Sequence, residues 1–356
     1  LCQDTEFFKN AFSCGIIKKE DTFVEPLSLV QGWVVTDTGV FAIFFNIINN
    51  TKKIRIMRTK RILQVIACLV FFAHFSLYAG TKAKHVILIG LDGWGSYSVE
   101  KADMPVVKKL MEEGAYTLKK RAVLPSSSAV NWASMFMGAC PELHGYTEWG
   151  SRTPEIPSRE VNRHGIFPTI FGLLREADPK AEIGCLYEWD GIKYLVDTLS
   201  LNYHAGAADY EKFPTALSDM AVKYIKEKKP NLLAVVFDNP DHVGHADGHD
   251  TPAYYAKLSE LDGYIGQIIE AAKEAGIWDD TIIIISADHG GIGKGHGGKT
   301  LQELETPFIV FGKNVKRIPE FKESMMQFDI AATIAYIFDL KTPQVWIGRP
   351  MKRVFK

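Results

Sequence analysis

Residues 280–298, DTIIIISADHGGIGKGHGG, decide the reading of this chain. The run from Thr281 to Ala287 is apolar and mostly β-branched, as in a strand buried on both faces of a sheet. It stops at an Asp288-His289 pair and a series of glycines, with His296 further along a loop too glycine-rich to pack a core. A carboxylate and an imidazole side by side at the carboxyl end of a strand suit a divalent metal in an open α/β sheet.

The surrounding chain repeats this grammar. Residues 85–91 (HVILIGL), 232–238 (LLAVVFD) and 307–311 (PFIVF) are further buried runs. Helical periodicity follows over 104–113, 129–137, 252–275 and 328–340. Strands alternating with helices predict an α/β domain with a mainly parallel sheet. The stretch 141–210 is richer in loops and aromatic residues and is expected to cover one end of that sheet. Residues 80–356 read as one domain, without internal repeats.

Residues 1–56 do not resemble the rest and are expected to lie outside the fold. Met57-Arg58-Thr59-Lys60-Arg61 precedes an apolar stretch, 62–75, and small residues at Ala79-Gly80. A basic, apolar, small-residue order is that of a secretory signal peptide over residues 57–79, so the expected location is periplasmic or secreted, with no stable membrane span after cleavage. The 356-residue chain carries a net charge of −1 without a long run of either sign, so duplex nucleic-acid binding through a basic face has no support. Its five cysteines form no CxxC or zinc-finger spacing.

Three of the buried runs end near acidic residues. Asp92 follows the first. Asp241 and His245 follow the second within Pro240-Asp241-His242-Val243-Gly244-His245, four apart and on one face of any helical turn. Asp288, His289 and His296 follow the third. In an open sheet these strand ends converge on one edge. Three carboxylates and three imidazoles, without a thiolate, suit two zinc-like ions with open positions. Such a pair can hold the attacking and leaving oxygens of an in-line phosphoryl displacement. Ser126-Ser127-Ser128, just before the helix predicted over 129–137, offers a nucleophile at a helix amino terminus or, in the plainer reading, a helix cap.

At these residues the chain resembles the alkaline phosphatase superfamily, in particular its type I phosphodiesterase/nucleotide pyrophosphatase branch. The matching motifs are Asp92-Gly93, Ser128 with Asn131 three residues on, the PDxxGHxxG pattern from Pro240 to Gly248, and Asp288-His289-Gly290, over a region running from Lys84 onward. The resemblance implies an alkaline-phosphatase-like three-layer sandwich and a small-molecule phosphoester substrate. It implies one zinc on Asp241, His245 and His296 and a second on Asp92, Asp288 and His289. It also implies Ser128 as the nucleophile, contacting the second metal and forming a phosphoserine, with the Asn131 amide donating to a phosphoryl oxygen.

Nucleotide-cleaving relatives often place an aromatic residue directly after the nucleophile, where this chain has Ala129; Trp94, Trp149, Tyr187 and Trp189 are alternative stacking faces. No arginine matches the phosphate clamp of true alkaline phosphatases, which favours diesters over monoesters; a phosphomonoesterase or phosphonate hydrolase of the same superfamily is the alternative. A non-catalytic zinc protein is the remote alternative. Sulfatases need an arginine that the serine stretch lacks. Gly293–Thr300 also satisfies the Walker A pattern, but residues 288–292 separate it from its strand and too little helix follows. His144 reads as structural, and His242, Asp247, His249 and Asp250 as residues outside the metal set.

Overall fold

The computed structural model describes residues 82–207 and 209–356, with the short strands Val34–Val35 and Phe41–Ala42 in a separate N-terminal unit, residues 1–70. Those two strands pair antiparallel. The expected extension over 1–56 is otherwise outside the described residues, as is the expected signal peptide over 57–79.

The main unit is built on seven strands: β1 His85–Asp92, β2 Ala115–Arg121, β3 Ile183–Tyr187, β4 Tyr203–Gly206, β5 Leu232–Pro240, β6 Thr281–Ser286 and β7 Glu305–Gly312. They lie in the order β2-β7-β6-β1-β5-β3-β4. β1 runs parallel to both β5 and β6, and β3 runs parallel to β4 and β5. β7 alone is reversed, pairing antiparallel with β6 and β2.

Alternation along each strand divides the core into two layers, because successive side chains point to opposite faces. Val86, Leu88, Leu232, Ala234, Ile282 and Ile284 face one layer, which is covered by α2 Ser128–Met137, α4 Ile170–Ala177 and α9 Asp329–Ile337. Ile87, Ile89, Leu233, Val235, Ile283 and Ile285 face the other, covered by α1 Pro105–Glu113, α5 Ala216–Lys228 and α7 Pro252–Glu274. The architecture is the expected three-layer sandwich. Full burial of each such branched side chain contributes about 1.5–3 kcal/mol before entropy is counted, so β1, β5 and β6 form the stiffest part of the sheet.

The short helices α3 Pro141–His144, α6 Asp241–Asp247 and α8 Leu301–Leu304 lie in the connections. One expectation needs correction. The stretch 141–210 does not merely cover one end of the sheet, because it contributes β3 and β4 to it. The buried run at 307–311 is a strand, as expected, and it is the reversed one in the mainly parallel sheet.

All ten residues of α2 are buried, so the helix that begins at Ser128 is itself core. Ser127 occupies its N-cap position without a side-chain cap bond, and its Oγ is buried without a partner. The plain capping role therefore is not played. Cys140 and Cys185 are free thiols. Among the described residues no helix is long and apolar enough to cross a membrane.

Candidate metal centre

The carboxyl ends of the three central strands deliver the acidic residues to one edge. β1 ends on Asp92, whose register partner on β5 is Pro240 after a shift between Leu91 and Asp92. Gly93 then turns the chain with φ +69°, and a Cβ there would lie 2.5 Å from Asp241 Oδ1. Only glycine combines that left-handed backbone with so close an approach. β5 runs directly into α6, whose first residue is Asp241 and whose next turn carries His245. Beyond β6 come Asp288 and His289, and the following loop returns His296 to the same edge.

Two clusters result. Asp241, His245 and His296 present one ligand atom each within 4.8 Å of one another, and so do Asp92, Asp288 and His289. In the first, His245 Nε2 lies 3.0 Å from Asp241 Oδ2 and 3.2 Å from His296 Nε2. In the second, His289 Nε2 lies 3.4 Å from Asp92 Oδ1 and 3.3 Å from Asp288 Oδ2. The clusters adjoin, since the rings of His289 and His296 stack at 3.8 Å. Ser128 Oγ sits 3.2 Å from His289 Nε2, at the second cluster.

Two observations show that these residues fit divalent cations. Asp92 Oδ1 and Asp288 Oδ2 are buried with no hydrogen-bond partner, a costly arrangement that a cation would satisfy. All three histidines also turn Nδ1 to a backbone carbonyl: His245 to Lys294 at 2.9 Å, His289 to Gly290 at 2.8 Å and His296 to Ser126 at 3.1 Å. That fixes one tautomer and leaves every Nε2 lone pair facing its cluster, as metal-ligating histidines require.

The electrostatics agree. Burial, then repulsion from Asp288 and Asp241, pushes the Asp92 carboxyl well above the carboxylate range. Burial pushes Asp288 up to about 8. At Asp241 burial is outweighed by hydrogen bonds from His245 and His249, which hold it well below its ordinary value. The Asp241 bond raises His245 to about 9. Burial lowers His289, and burial together with the nearby His289 lowers His296 to about 4. At the second cluster a neutral histidine beside two carboxylates that resist ionisation forms a site short of positive charge, which a bound cation would supply.

His249, read from the sequence as outside the metal set, adjoins the first cluster. It is buried, with Nε2 3.1 Å from Asp241 Oδ1 and Nδ1 3.2 Å from the Gly293 carbonyl. A Cβ on Gly244 would come within 2.4 Å of its ring, so the glycine of the PDxxGH pattern makes room for this histidine. His249 thereby orients a ligand carboxylate and ties it to the loop that carries His296. The available signal was its place one residue beyond Gly248, the end of the PDxxGHxxG pattern.

Asn131, expected as a phosphoryl donor, is bonded to the loop that precedes Ser128. Its Nδ2 is directed at the carbonyls of Val123, Pro125 and Ser127, at 3.0–3.2 Å, and its Oδ1 accepts from the Val123 amide at 2.7 Å. The side chain is wholly buried and clamps the loop leading into Ser128. In this geometry its reach is committed to backbone.

Trp94 and Tyr187 are buried and Trp189 is half-buried, whereas Trp149 is 65 % exposed. Trp149 lines a cavity of about 470 Å³ together with Pro125, Ser127, Glu148, His245 and His296. The P-loop reading of Gly293–Thr300 fails. Thr300 caps the four-residue helix α8 through a capping box with Glu303, and that carboxylate also accepts from the Gly298 amide at 2.7 Å.

A three-layer α/β sandwich with two acid–histidine clusters and a serine at the edge of its central strands defines the class of alkaline-phosphatase-like metallohydrolase folds. The family model for type I phosphodiesterase / nucleotide pyrophosphatase matches residues 86–294, more than half of the chain, and the chain belongs to that family. The human GPI ethanolamine phosphate transferase 2 catalytic subunit is 27% identical over 147 residues, 40% of this chain and 15% of that protein. Venom phosphodiesterase 2 of Crotalus adamanteus is 24% identical over 226 residues, 60% of this chain and 27% of the relative. The chain therefore spans well under half the length of these relatives. Among solved structures, murine ectonucleotide pyrophosphatase / phosphodiesterase 5, an inactive form in complex with AMP, superposes with a TM-score of 0.62 at 16% identity, covering 77% of this chain and 100% of that one. A 2-O GAG sulfatase does so with a TM-score of 0.61 at 13% identity, covering 77% and 74%. At such identities the likeness concerns the fold.

Proposed function

We propose that this chain is an exported, metal-dependent phosphodiesterase that cleaves its substrate through a covalent phosphoserine at Ser128. The observation that carries the reading is the placement of Ser128 Oγ beside His289, at the cluster whose carboxylate oxygens lack partners. Asp241, His245 and His296 would hold one ion and Asp92, Asp288 and His289 the other, zinc by the character of the donors. When bound, such ions supply the positive charge that ionises a serine hydroxyl and offsets charge on phosphoryl oxygens.

The protein's own part is positional. Asn131 clamps residues 123–127 so that Ser128 opens α2 toward the clusters. The Ser128 oxygen attacks phosphorus as the bond to the leaving alcohol breaks, giving a phosphoserine. Water then displaces the serine oxygen and returns the hydroxyl. No arginine or lysine lines the cavity beside the first cluster, which supports diesters over the more highly charged monoesters and phosphonates. The basic, apolar and small-residue order over residues 57–79 supports export to the periplasm or the medium.

Turnover of bis-p-nitrophenyl phosphate, with metal analysis, tests the reading. Ser128→Ala is expected to abolish turnover and retain two zinc ions per chain; wild-type activity in that variant would overturn the nucleophile assignment.

A further inference from the structure

Glu148 and Trp149 are the exposed charged and aromatic side chains in the cavity beside the first cluster, and the mechanism uses neither. Their turn is fixed to the nucleophile's helix, because the Ala129 amide donates to the Trp149 carbonyl at 3.1 Å. Ser151 braces it from the other side: its hydroxyl donates to the Glu148 carbonyl at 2.9 Å and accepts from the Glu148 amide at 3.0 Å. The Glu155 carboxylate, 2.8 Å from the same hydroxyl, lies behind. The backbone is therefore held while the indole stands exposed.

Among the described residues no basic side chain pairs with the Glu148 carboxylate. Arg152 lines the adjoining hollow with Glu148 and Trp149, but its guanidinium lies over the Tyr194 ring, 5.3 Å from the centroid.

We propose that Glu148 and Trp149 form a subsite for the cationic amino-alcohol group of a phosphodiester, a refinement that rests on the phosphodiesterase reading. An ammonium group is drawn both to a carboxylate and to the negative face of an indole. The second phosphate of a nucleoside polyphosphate would instead meet Glu148 without a compensating lysine or arginine among the cavity's lining residues. A cavity of about 470 Å³ accommodates a choline-sized group with its phosphate.

Two esters releasing the same chromophore test this: p-nitrophenyl phosphorylcholine and the p-nitrophenyl ester of thymidine 5′-phosphate, with bis-p-nitrophenyl phosphate as the group-free reference. The choline ester is expected to have the highest kcat/KM, carried by a lower KM. Glu148→Gln and Trp149→Leu should each reduce the choline-to-thymidylate ratio of kcat/KM by about fivefold, the order of one cation–π or ion-pair contact at a partly exposed site. A merely structural role would depress both esters together and leave that ratio unchanged, which would overturn the subsite. Preference for the thymidylate ester in the wild type would do the same. Absence of turnover on all three esters would overturn the phosphodiesterase reading, and the subsite with it.

Discussion

Asp288→Asn should make the metal-free protein more stable while abolishing its ability to hold the second ion. Asp288 Oδ1 accepts from the amides of Gly93 at 3.1 Å and His289 at 2.8 Å, bonds that an asparagine oxygen keeps. Its Oδ2 is buried without a partner, and an amide nitrogen there can donate to the nearby His289 Nε2. Burial raises the aspartate to about 8 from an ordinary value of 3.8. A carboxyl raised in the folded state binds more protons folded than unfolded. Its contribution is thus complete below pH 3.8 and is lost as pH rises through about 8. At pH 7 the loss amounts to about 4 kcal/mol, from roughly three units at 1.36 kcal/mol each.

His289 and His296 are lowered and have lost their protons in both states by about pH 7, so they add no slope above it. His245, raised to about 9, acts in the same direction as Asp288 and is common to both proteins. Urea unfolding of chelator-treated wild type and variant from pH 5 to 8.5 isolates the difference. The variant's advantage should grow with pH, and saturating zinc should reverse the order by stabilising the wild type. A metal-free variant less stable than wild type at pH 8, or one with the same pH slope, would refute the reasoning.

His249→Ala should weaken the first ion about 10–100-fold, the usual cost of removing a group that orients a ligand. Competition with a chromophoric chelator measures it, and the second ion's affinity should change less. Asn131→Ala leaves the buried Val123 amide without its acceptor and frees the loop before Ser128, so it should cost about 1–3 kcal/mol in thermal or urea unfolding. A variant with undiminished stability and a large fall in kcat would restore the direct phosphoryl contact.

Four strands were legible because each is a continuous apolar run, which only burial on both faces explains. β2 was hidden by its composition: it ends Lys119-Lys120-Arg121, yet Lys120 is wholly buried, donating to the Ala287 carbonyl at 3.0 Å and to Gln327. Such a lysine looks like surface until the strands beside it are known. β3 and β4 are only five and four residues long, and each includes a glycine. The six residues of the two clusters were readable because each lies at or beyond the carboxyl end of a strand that shares one edge. His249 was not, since its burial depends on the Gly293 loop folding back over α6. Asn131 was recognised as a motif letter, but a letter does not say where an amide points.

The loop from Asp288 to His296 serves both clusters, and its two imidazoles stack on each other. An ion captured by Asp288 and His289 would therefore set the position of His296 before the other site fills. Loading should be cooperative, with partly filled molecules scarce across a zinc titration. Depletion of metal should then behave as a switch, emptying both clusters over a narrow range of free metal instead of dimming activity gradually.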